Sequence, residues 1–281
     1  MATVHANGID FQVSRFRSGP EGERPVIIAI HGLGVVDGAS MSMTVGMPLA
    51  KHFDVIMYDL RGHGRSEFVT SGFRVVDHME DLLALIDVLG IEGPVHLLTG
   101  SYGGTVGITT ALHHPDRVAS LAMVDPMFPL PDWGENLAKA LEYFSERLTE
   151  GATVEDVMDF FQTSARRRAM MLYTRGRKLL FETTLLEDVR TEQGLTVEEY
   201  ARITCPVMGV FGMDSAIYVL SMLLKELIKQ AEILEVADAD HIQVFSRPET
   251  RDAITDFVHR VEAERALRAI AVSSNGLSTE A

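Results

Sequence analysis

Residues 95–104 read Val-His-Leu-Leu-Thr-Gly-Ser-Tyr-Gly-Gly, an apolar run followed at once by small residues around a single serine. An apolar strand that leads through such residues into a helix has the layout of a nucleophile elbow, a sharp turn that exposes the serine hydroxyl. The usual pattern is G-x-S-x-G, and Thr99 occupies its first position here. The motif predicts an exposed Ser101, with an ordinary strand-to-helix turn as the alternative.

The chain around this turn alternates apolar strand-like runs with segments of helical spacing. Strands are predicted at residues 3–6, 9–16, 25–30, 53–58, 95–98, 118–124, 206–211 and 231–236, and helices at 74–89, 102–113, 216–230 and 245–265. Such alternation is typical of an α/β fold, in which a mostly parallel twisted sheet carries helices on both faces.

The alternation stops at Pro126, and residues 135–203 have the character of several helices without a clear strand. A helical segment inserted into an α/β alternation is typical of a cap over the sheet. The predicted organisation is therefore a core of residues 1–125 and 204–265, a helical cap of residues 126–203 and a disordered tail of residues 266–281.

Composition limits the class of protein and its partners. The 281 residues are 46% hydrophobic, which fits one large domain with a substantial insertion. The net charge of −15 argues against a nucleic-acid partner, because phosphates would be repelled. No apolar run approaches the roughly 20 residues that span a bilayer, so no membrane partner is expected.

The N-terminal residues and the cysteine content bear on the compartment. The first residues, Met-Ala-Thr-Val-His, lack the basic and apolar regions of a secretory signal. Cys205 is the one cysteine, which rules out a disulfide within the chain and is consistent with a reducing compartment. The expectation is a cytoplasmic protein, and the sequence leaves its oligomeric state open.

Several polar residues fall where predicted strands end. In an open α/β sheet, ligands bind at the carboxyl ends of the strands. These ends supply a hydroxyl, imidazoles and carboxylates, which are the groups that nucleophilic catalysis requires. The residues concerned are His31, Asp59, Ser101, Asp125, Asp214 and His241.

Four segments together resemble the α/β-hydrolase fold superfamily. They are the oxyanion-loop motif His31–Gly34, the D-x-R-G-x-G-x-S segment Asp59–Ser66, the elbow Thr99–Gly104 and a histidine loop, Asp238–Pro248. The resemblance covers about residues 9–260 and is specific for the fold rather than for the substrate. It implies a serine hydrolase with a helical cap and a triad in the order Ser, acid, His.

The resemblance assigns the nucleophile to Ser101 and the general base to His241. The acid has two candidates. Asp214 follows a predicted strand at the usual position, although Gly212-Met213-Asp214 is one residue shorter than the common G-x-x-D spacing. Asp125 follows the preceding strand, a position that some members use. Asp214 is the preferred acid and Asp125 the second choice.

The oxyanion hole requires two N–H donors directed at the developing negative charge. The resemblance implies Tyr102, the residue after the nucleophile, and Leu33, with Gly34 as a close substitute. His31 lies beside this loop, where the resemblance implies a supporting role, and it is also a candidate for substrate binding.

The substrate-binding candidates come from the loop after residue 125 and from the cap. Met127, Phe128 and Trp133 are predicted to line an apolar pocket, with core packing as the alternative. Residues 164–178 contain six basic residues and no acid, and Arg167 and Arg168 are the candidates to bind an anionic or acyl-carrier-linked substrate. The alternative is a solvated helix face.

The predicted function is hydrolysis of a small-molecule ester or thioester through an acyl-enzyme. One alternative is C–C bond hydrolysis of a vinylogous diketone acid, because the loop that ends in Met47-Pro48-Leu49-Ala50-Lys51 is similar to that of such hydrolases. The other alternative is a non-catalytic ligand-binding member of the fold. No cofactor or metal is expected, since the sequence has no metal-ligand spacing, P-loop or dinucleotide fingerprint.

Overall fold

The computed structural model describes residues 1–20, 24–33, 41–146, 148, 153–160, 166, 170 and 172–276. A single sheet of eight strands runs through the molecule in the order β1-β2-β4-β3-β5-β6-β7-β8. The strands are β1 (Ala2–Ala6), β2 (Ile9–Phe16), β3 (Val26–Ile30), β4 (Asp54–Tyr58), β5 (Val95–Gly100), β6 (Val118–Val124), β7 (Val207–Gly212) and β8 (Glu232–Val236).

The sheet is antiparallel at one edge and parallel elsewhere. The β1–β2 and β2–β4 pairs are antiparallel, and the five remaining pairs, from β4 to β8 across the sheet, are parallel. Parallel strands bring their carboxyl ends to one edge of the sheet. The ends of β3, β5, β6, β7 and β8 therefore lie side by side.

Helices cover both faces of this sheet and form the segment between β6 and β7. They are α1 (Val75–Val88), α2 (Gly103–His113), α3 (Trp133–Ser145), α4 (Val154–Phe160), α5 (Arg177–Glu182), α6 (Leu185–Arg190), α7 (Val197–Tyr200), α8 (Leu220–Leu227) and α9 (Pro248–Gly276). Shorter helical turns span Ser42–Gly46, Met47–Leu49, Pro115–Arg117, Leu172–Gly176 and Gln243–Ser246.

The residues of β3 show why the sheet is buried on both faces. Ile28 and Ile30 pack into the core that α1, α2 and α8 cover. Ile27 and Ala29 alternate with them and pack into the opposite core, which α9 covers. Because side chains alternate across a strand, an uninterrupted apolar run is needed where both faces are covered.

The segment between β6 and β7 has a small apolar core of its own. Ala138, Val157, Leu179 and Val189 are buried together there. They pack with Phe73 of the main domain, so the segment is attached to the rest of the molecule through apolar contacts. The described part of residues 126–203 is helix and loop without a strand.

The C-terminal helix extends further than the sequence pattern predicted. The structure places residues 266–276 in α9, whereas the sequence predicted disorder from residue 266. Residues 262–271, Glu-Ala-Glu-Arg-Ala-Leu-Arg-Ala-Ile-Ala, consist mainly of strong helix formers, so the helix continues although residues 266–271 are exposed. No helix in the described ranges, α9 included, is both long and apolar enough to cross a membrane.

Candidate active site

Ser101 lies between β5 and α2 in a strained backbone conformation. Its φ of +51° is in the left-handed region, which non-glycine residues rarely occupy. Its carbonyl oxygen accepts hydrogen bonds from the N–H groups of Gly104 and Met127, both at 2.9 Å. These bonds hold the turn that leaves the serine side chain partly exposed at the carboxyl edge of the sheet.

Glycines surround this turn because other chain segments approach it closely. A Cβ on Gly32 would lie 2.8 Å from Cβ of Ser101 and 3.3 Å from its Oγ. A Cβ on Gly103 would lie 2.5 Å from the carbonyl oxygen of Ile30. The end of β3 therefore lies directly beside the serine.

Thr99, the departure from the usual elbow pattern, is accommodated by a glycine in α2. A Cβ on Gly107 would lie only 2.8 Å from Cγ2 of Thr99. The missing side chain at residue 107 makes room for the larger residue at 99, which is fully buried. The elbow forms with Thr99 because the helix that follows it carries the compensating glycine.

Asp125, and not the preferred Asp214, is the carboxylate beside His241. Nδ1 of His241 donates to Oδ2 of Asp125 at 2.5 Å. Asp214 is exposed on the loop after β7, and its main-chain N–H donates to the carbonyl oxygen of Ala239 at 3.1 Å. The prediction of Asp214 as the acid is therefore wrong, and Asp125, the second candidate, lies beside His241 instead.

The position of Asp125 follows from the sheet register. Gly100 of β5 pairs with Val124 of β6, so Ser101 and Asp125 each come one residue after this pair. Neighbouring strands lie about 4.8 Å apart, which keeps the two residues close. Asp125 also has a positive φ, +44°, and its N–H donates to the carbonyl oxygen of Val210 at 2.7 Å.

Asp125, Ser215 and His241 form a group that is called the carboxylate cluster below. Asp125 has no exposed surface. Its Oδ2 accepts from both His241 and the Ser215 hydroxyl, each at 2.5 Å, and its Oδ1 accepts from the N–H of Gly212 at 3.2 Å. An ionised carboxylate accepts only, so the three donors match its charged form.

His241 is held near the elbow by its own loop. Asp240 Oδ1 accepts from the N–H groups of Ile242 and Gln243 and so fixes the turn that follows the histidine. The rings of His241 and Phe245 meet edge to face, with centroids 6.5 Å apart. Phe245 in turn lies under Gly100, where a Cβ would come within 2.6 Å of the ring.

The side chain of His241 is 37% exposed, so part of the ring is accessible from solvent. Within the described ranges, no direct hydrogen bond joins Oγ of Ser101 to the ring. Hydrogen bonds between a nucleophile and its base are often long in the absence of substrate and shorten when a substrate binds.

The predicted oxyanion donors lie on the two sides of Ser101. Tyr102 immediately precedes α2, where main-chain N–H groups have no acceptor within the helix. Leu33 follows Gly32 at the end of β3 and is half-buried. Gly34, the substitute for Leu33, lies outside the described residues. The arrangement can direct two N–H groups toward one oxygen at Ser101.

His31 is buried beneath this loop rather than exposed to a substrate. Its Nδ1–H donates to the carbonyl oxygen of Gly32 at 2.7 Å, and its Nε2 accepts from the N–H of Leu60 at 3.0 Å. These bonds fix the tautomer and support the loop after β3. The supporting role implied for His31 fits this position, and the candidate role in substrate binding does not.

His63 packs against His31 below the same loop. The ring centroids are 5.3 Å apart, and Nδ1–H of His63 donates to the carbonyl oxygen of Arg61 at 2.8 Å. Burial, with smaller contributions from the charges of His31 and Arg175, lowers the pKa of His63 to about 3, although the Arg61 carbonyl oxygen and Asp59 act in the opposite direction. His63 is therefore neutral over the physiological range.

The three apolar candidates for the substrate pocket have different positions. Met127 is half-buried and its N–H donates to the carbonyl oxygen of Ser101, so it lies at the site. Phe128 is buried against Tyr200, and Trp133 is buried with its Nε1–H donating to the carbonyl oxygen of Gln193. Core packing, the alternative interpretation, describes Phe128 better than pocket lining does, whereas Trp133 borders a cavity that Thr105, Pro129 and Glu192 also line.

The basic stretch of the cap is described only in part. Arg167 and Arg168 lie outside the described residues. Arg166 pairs with Glu155, and Lys178 lies over the ring of Phe68 at 4.2 Å. Arg177 donates to the carbonyl oxygen of Leu148 and lies over the ring of Phe181.

Ser215, Gly212 and Phe245 are site residues that the sequence interpretation missed. Asp214 is predicted as a site residue because it is polar and follows the end of a strand. Ser215, three residues after the end of β7, meets the same criterion. Gly212 and Phe245 contribute an N–H and an aromatic edge, which leave little signal in a sequence. Within the described ranges, no group of three His, Cys, Asp or Glu side chains has an arrangement suited to a metal ion.

Comparison with known proteins agrees with this architecture. The family model of the alpha/beta hydrolase fold matches residues 25–167, and the chain belongs to this family. It is therefore a hydrolase-fold protein of the α/β class, with hydrolases among its relatives.

Individual relatives match over different lengths. The chain is 34% identical over 124 residues to RutD of Caulobacter sp. (strain K31), a match that covers 43% of this chain and 45% of that protein. It is 25% identical to the 2-(acetamidomethylene)succinate hydrolase of Mesorhizobium japonicum, over 85% of this chain and 89% of the relative. The enol-lactonase from Burkholderia xenovorans LB400 has the same fold, with a TM-score of 0.70 at 22% identity over 93% of this chain and all of that one.

Proposed function

We propose that this protein is a serine hydrolase that cleaves a small-molecule carboxylester or thioester through an acyl-enzyme. The observation that carries the proposal is the buried Asp125 carboxylate on Nδ1 of His241, beside a strained Ser101. In this arrangement the carboxylate holds the imidazole so that Nε2 is free to act as a base.

In the proposed first half-reaction, Ser101 Oγ attacks the acyl carbon while Nε2 of His241 takes the hydroxyl proton. The N–H groups of Leu33 and Tyr102 stabilise the negative charge that develops on the acyl oxygen. The protonated His241 then donates that proton to the leaving alcohol or thiol, and the acyl group stays on Ser101. Asp125 remains ionised and stabilises the imidazolium.

In the second half-reaction, His241 takes a proton from water, and the resulting hydroxide adds to the acyl carbon of the acyl-enzyme. Collapse of this intermediate releases the carboxylic acid and returns the proton to Ser101. The same two donors serve both steps, because both intermediates place negative charge on the same oxygen.

Hydrolysis of p-nitrophenyl acetate and butyrate tests this proposal. Wild type should turn both esters over, and Ser101→Ala should lower kcat at least about 1,000-fold. Ser145→Ala, which removes a hydroxyl from the cap helix α3, is the matched control and should retain activity.

Other outcomes would favour the alternatives. Undiminished ester hydrolysis by Ser101→Ala would refute the nucleophile. No turnover by wild type, together with no labelling by a fluorophosphonate, would favour a ligand-binding protein. Faster turnover of a vinylogous diketone acid than of any ester would favour C–C bond hydrolysis.

The proposed substrate carries a negative charge near its acyl group, and Arg175 is its partner in the cap. Leu179, one helical turn further along the cap, lies 3.0 Å from the Cβ position of Gly62, so this part of the cap covers the Asp59–Ser66 loop. Arg175 is close enough to His63, beneath the loop after β3, for its charge to contribute to the lowered pKa of that histidine. The relative from Mesorhizobium japonicum, whose name specifies a succinate derivative, is consistent with an anionic substrate.

Paired esters of equal length test the charge preference. Arg175→Gln should raise KM for a succinate half-ester about 10-fold and leave KM for the neutral butyrate ester unchanged, since a lost charge-assisted contact affects only the anion. Arg166→Gln, which removes an exposed cap cation paired with Glu155, is the control. Equal changes for both esters would refute a role for Arg175 in recognising the charge.

A further inference from the structure

We propose that Ser215 is a positioning residue that holds the Asp125 carboxylate toward His241. The inference rests on the proposed function, because positioning matters only if His241 acts as a base. Ser215 donates to the same oxygen, Oδ2, that accepts from the histidine, at the same distance of 2.5 Å. It belongs to the loop on which the acid itself was expected.

The Ser215 hydroxyl is held in a fixed direction by its surroundings. Its Oγ accepts from the N–H of Ile217 at 3.3 Å, which occupies a lone pair on the oxygen and leaves the O–H to donate to Asp125. The residue is only 8% exposed, so water competes little for the hydroxyl. The donor is therefore already oriented before a substrate binds.

The carboxylate needs this second donor because its other support is weak. A carboxylate rotates readily about its last torsion. Among the described residues, the donors to the Asp125 carboxylate besides His241 are Ser215 at 2.5 Å and the N–H of Gly212 at 3.2 Å. Without Ser215, the orientation of Oδ2 would depend mainly on His241. The carboxylate would then be oriented by the same ring that it has to orient.

The loop that carries Ser215 is also fixed to the loop that carries the base. Asp214 N–H donates to the carbonyl oxygen of Ala239, and Met213 N–H donates to that of Val236. Gly212 approaches the main chain of Ala239 so closely that no side chain fits between them. Ser215 thus joins the acid after β6 to a rigid unit formed by the β7 and His241 loops.

Ester kinetics with purified Ser215→Ala test the inference. Loss of orientation should lower kcat about 10-fold with little change in KM, because the contact acts on the base and not on the substrate. The carboxylate without this donor would hold protonated imidazole more strongly. The acidic limb of the pH profile of kcat/KM should therefore move to higher pH by about half a unit to one unit.

Ser215→Thr keeps a hydroxyl and should restore both the rate and the pH profile. Asp214→Asn, a neighbour that donates only through its main chain, is the matched control. If Ser215→Ala does not fold, Ser215→Cys provides a weaker donor of similar size, and it should change kcat and the profile in the same direction. Wild-type kcat and an unmoved pH profile in the folded Ala or Cys variant would overturn the inference.

A proton NMR measurement separates this inference from the proposed function. The Nδ1–H of His241 should give a downfield resonance that Asp125→Asn removes and Ser215→Ala displaces. An unchanged resonance in Ser215→Ala would overturn the positioning role, even if the protein hydrolyses esters. A displaced resonance in a protein without Ser101-dependent hydrolysis would refute the proposed function and leave the contact itself supported.

Discussion

Two groups of polar side chains flank Ser101, and both contain histidine, aspartate and serine. One is the carboxylate cluster. The other, called the oxyanion-loop cluster here, consists of His31, Asp59, His63 and Ser66. The carboxylate cluster joins side chain to side chain, with Asp125 accepting from both His241 and Ser215.

In the oxyanion-loop cluster, several hydrogen bonds join side chains to the main chain. His63 donates to a carbonyl oxygen, Asp59 Oδ2 accepts from the N–H of Arg65, and Ser66 Oγ donates to the carbonyl oxygen of Asp59. Such contacts fix loop geometry. The difference teaches that residue type does not identify the reactive group, whereas the partner of each polar atom does.

The largest expected effect separates the two candidate acids. Asp125→Asn should lower kcat about 10,000-fold, because an amide cannot stabilise the imidazolium and favours the wrong tautomer of His241. Asp214→Asn should remain within about twofold of wild type. The measurement is ester hydrolysis by both variants, with thermal unfolding to confirm that each is folded. The reverse order of effects would restore Asp214 as the acid.

A second prediction concerns the pH dependence of stability in the oxyanion-loop cluster. Burial lowers the pKa of His63 from 6.5 to about 3 in the folded protein. Between these values the unfolded chain binds a proton at this histidine and the folded chain does not. The free energy of unfolding should therefore fall as pH decreases from 6.5 toward 3, by up to about 1.4 kcal/mol per pH unit.

Urea unfolding between pH 4 and pH 7 measures this dependence. His63→Gln, which cannot titrate, should show a shallower slope than wild type, whatever its stability at pH 7. Parallel slopes would indicate that His63 takes up its proton in the folded state as readily as in the unfolded one.

The smallest effect compares one serine from each cluster. Ser66 Oγ donates to the carbonyl oxygen of Asp59 at 2.6 Å and accepts from the N–H of Gln12 at 2.9 Å. Ser66→Ala should lower the free energy of unfolding by about 1 to 2 kcal/mol and leave the pH profile of kcat/KM in place. Ser215→Ala should move that profile. Urea unfolding and pH-rate measurements on both variants test this difference. A similar shift of the pH profile of kcat/KM in Ser66→Ala and Ser215→Ala would contradict it.

Much of the fold and part of the site follow from local sequence patterns. The eight strands and the main helices of the α/β core lie where apolar runs and helical spacing place them, within a few residues except at the C-terminal end of α9. Ser101 and His241 could be selected because their neighbours are constrained locally, by small residues around a turn and by a loop after the last strand. The family match over residues 25–167 agrees with the resemblance drawn from the motifs.

Other features could not be deduced locally. Phe128 and Trp133 are apolar aromatic residues, which suit both the lining of a pocket and the filling of a core. Only the packing of residues 126–203 decides between these two roles. The prediction of disorder from residue 266 is wrong for residues 266–276, which continue α9. It gave weight to the polar end of the chain and not to the high helix propensity of the residues before it.

Local sequence patterns predict the α/β class, the elbow around Ser101 and the loop of His241, because each depends on residues adjacent in the chain. Which aspartate faces the histidine depends on contacts between distant parts of the chain. Asp125 and Asp214 both follow buried strands, and sequence separation carries no information on which carboxylate points to a loop after β8. The sheet register and the approach of Gly212 to Ala239 direct the Asp125 carboxylate inward, whereas Asp214 is left exposed.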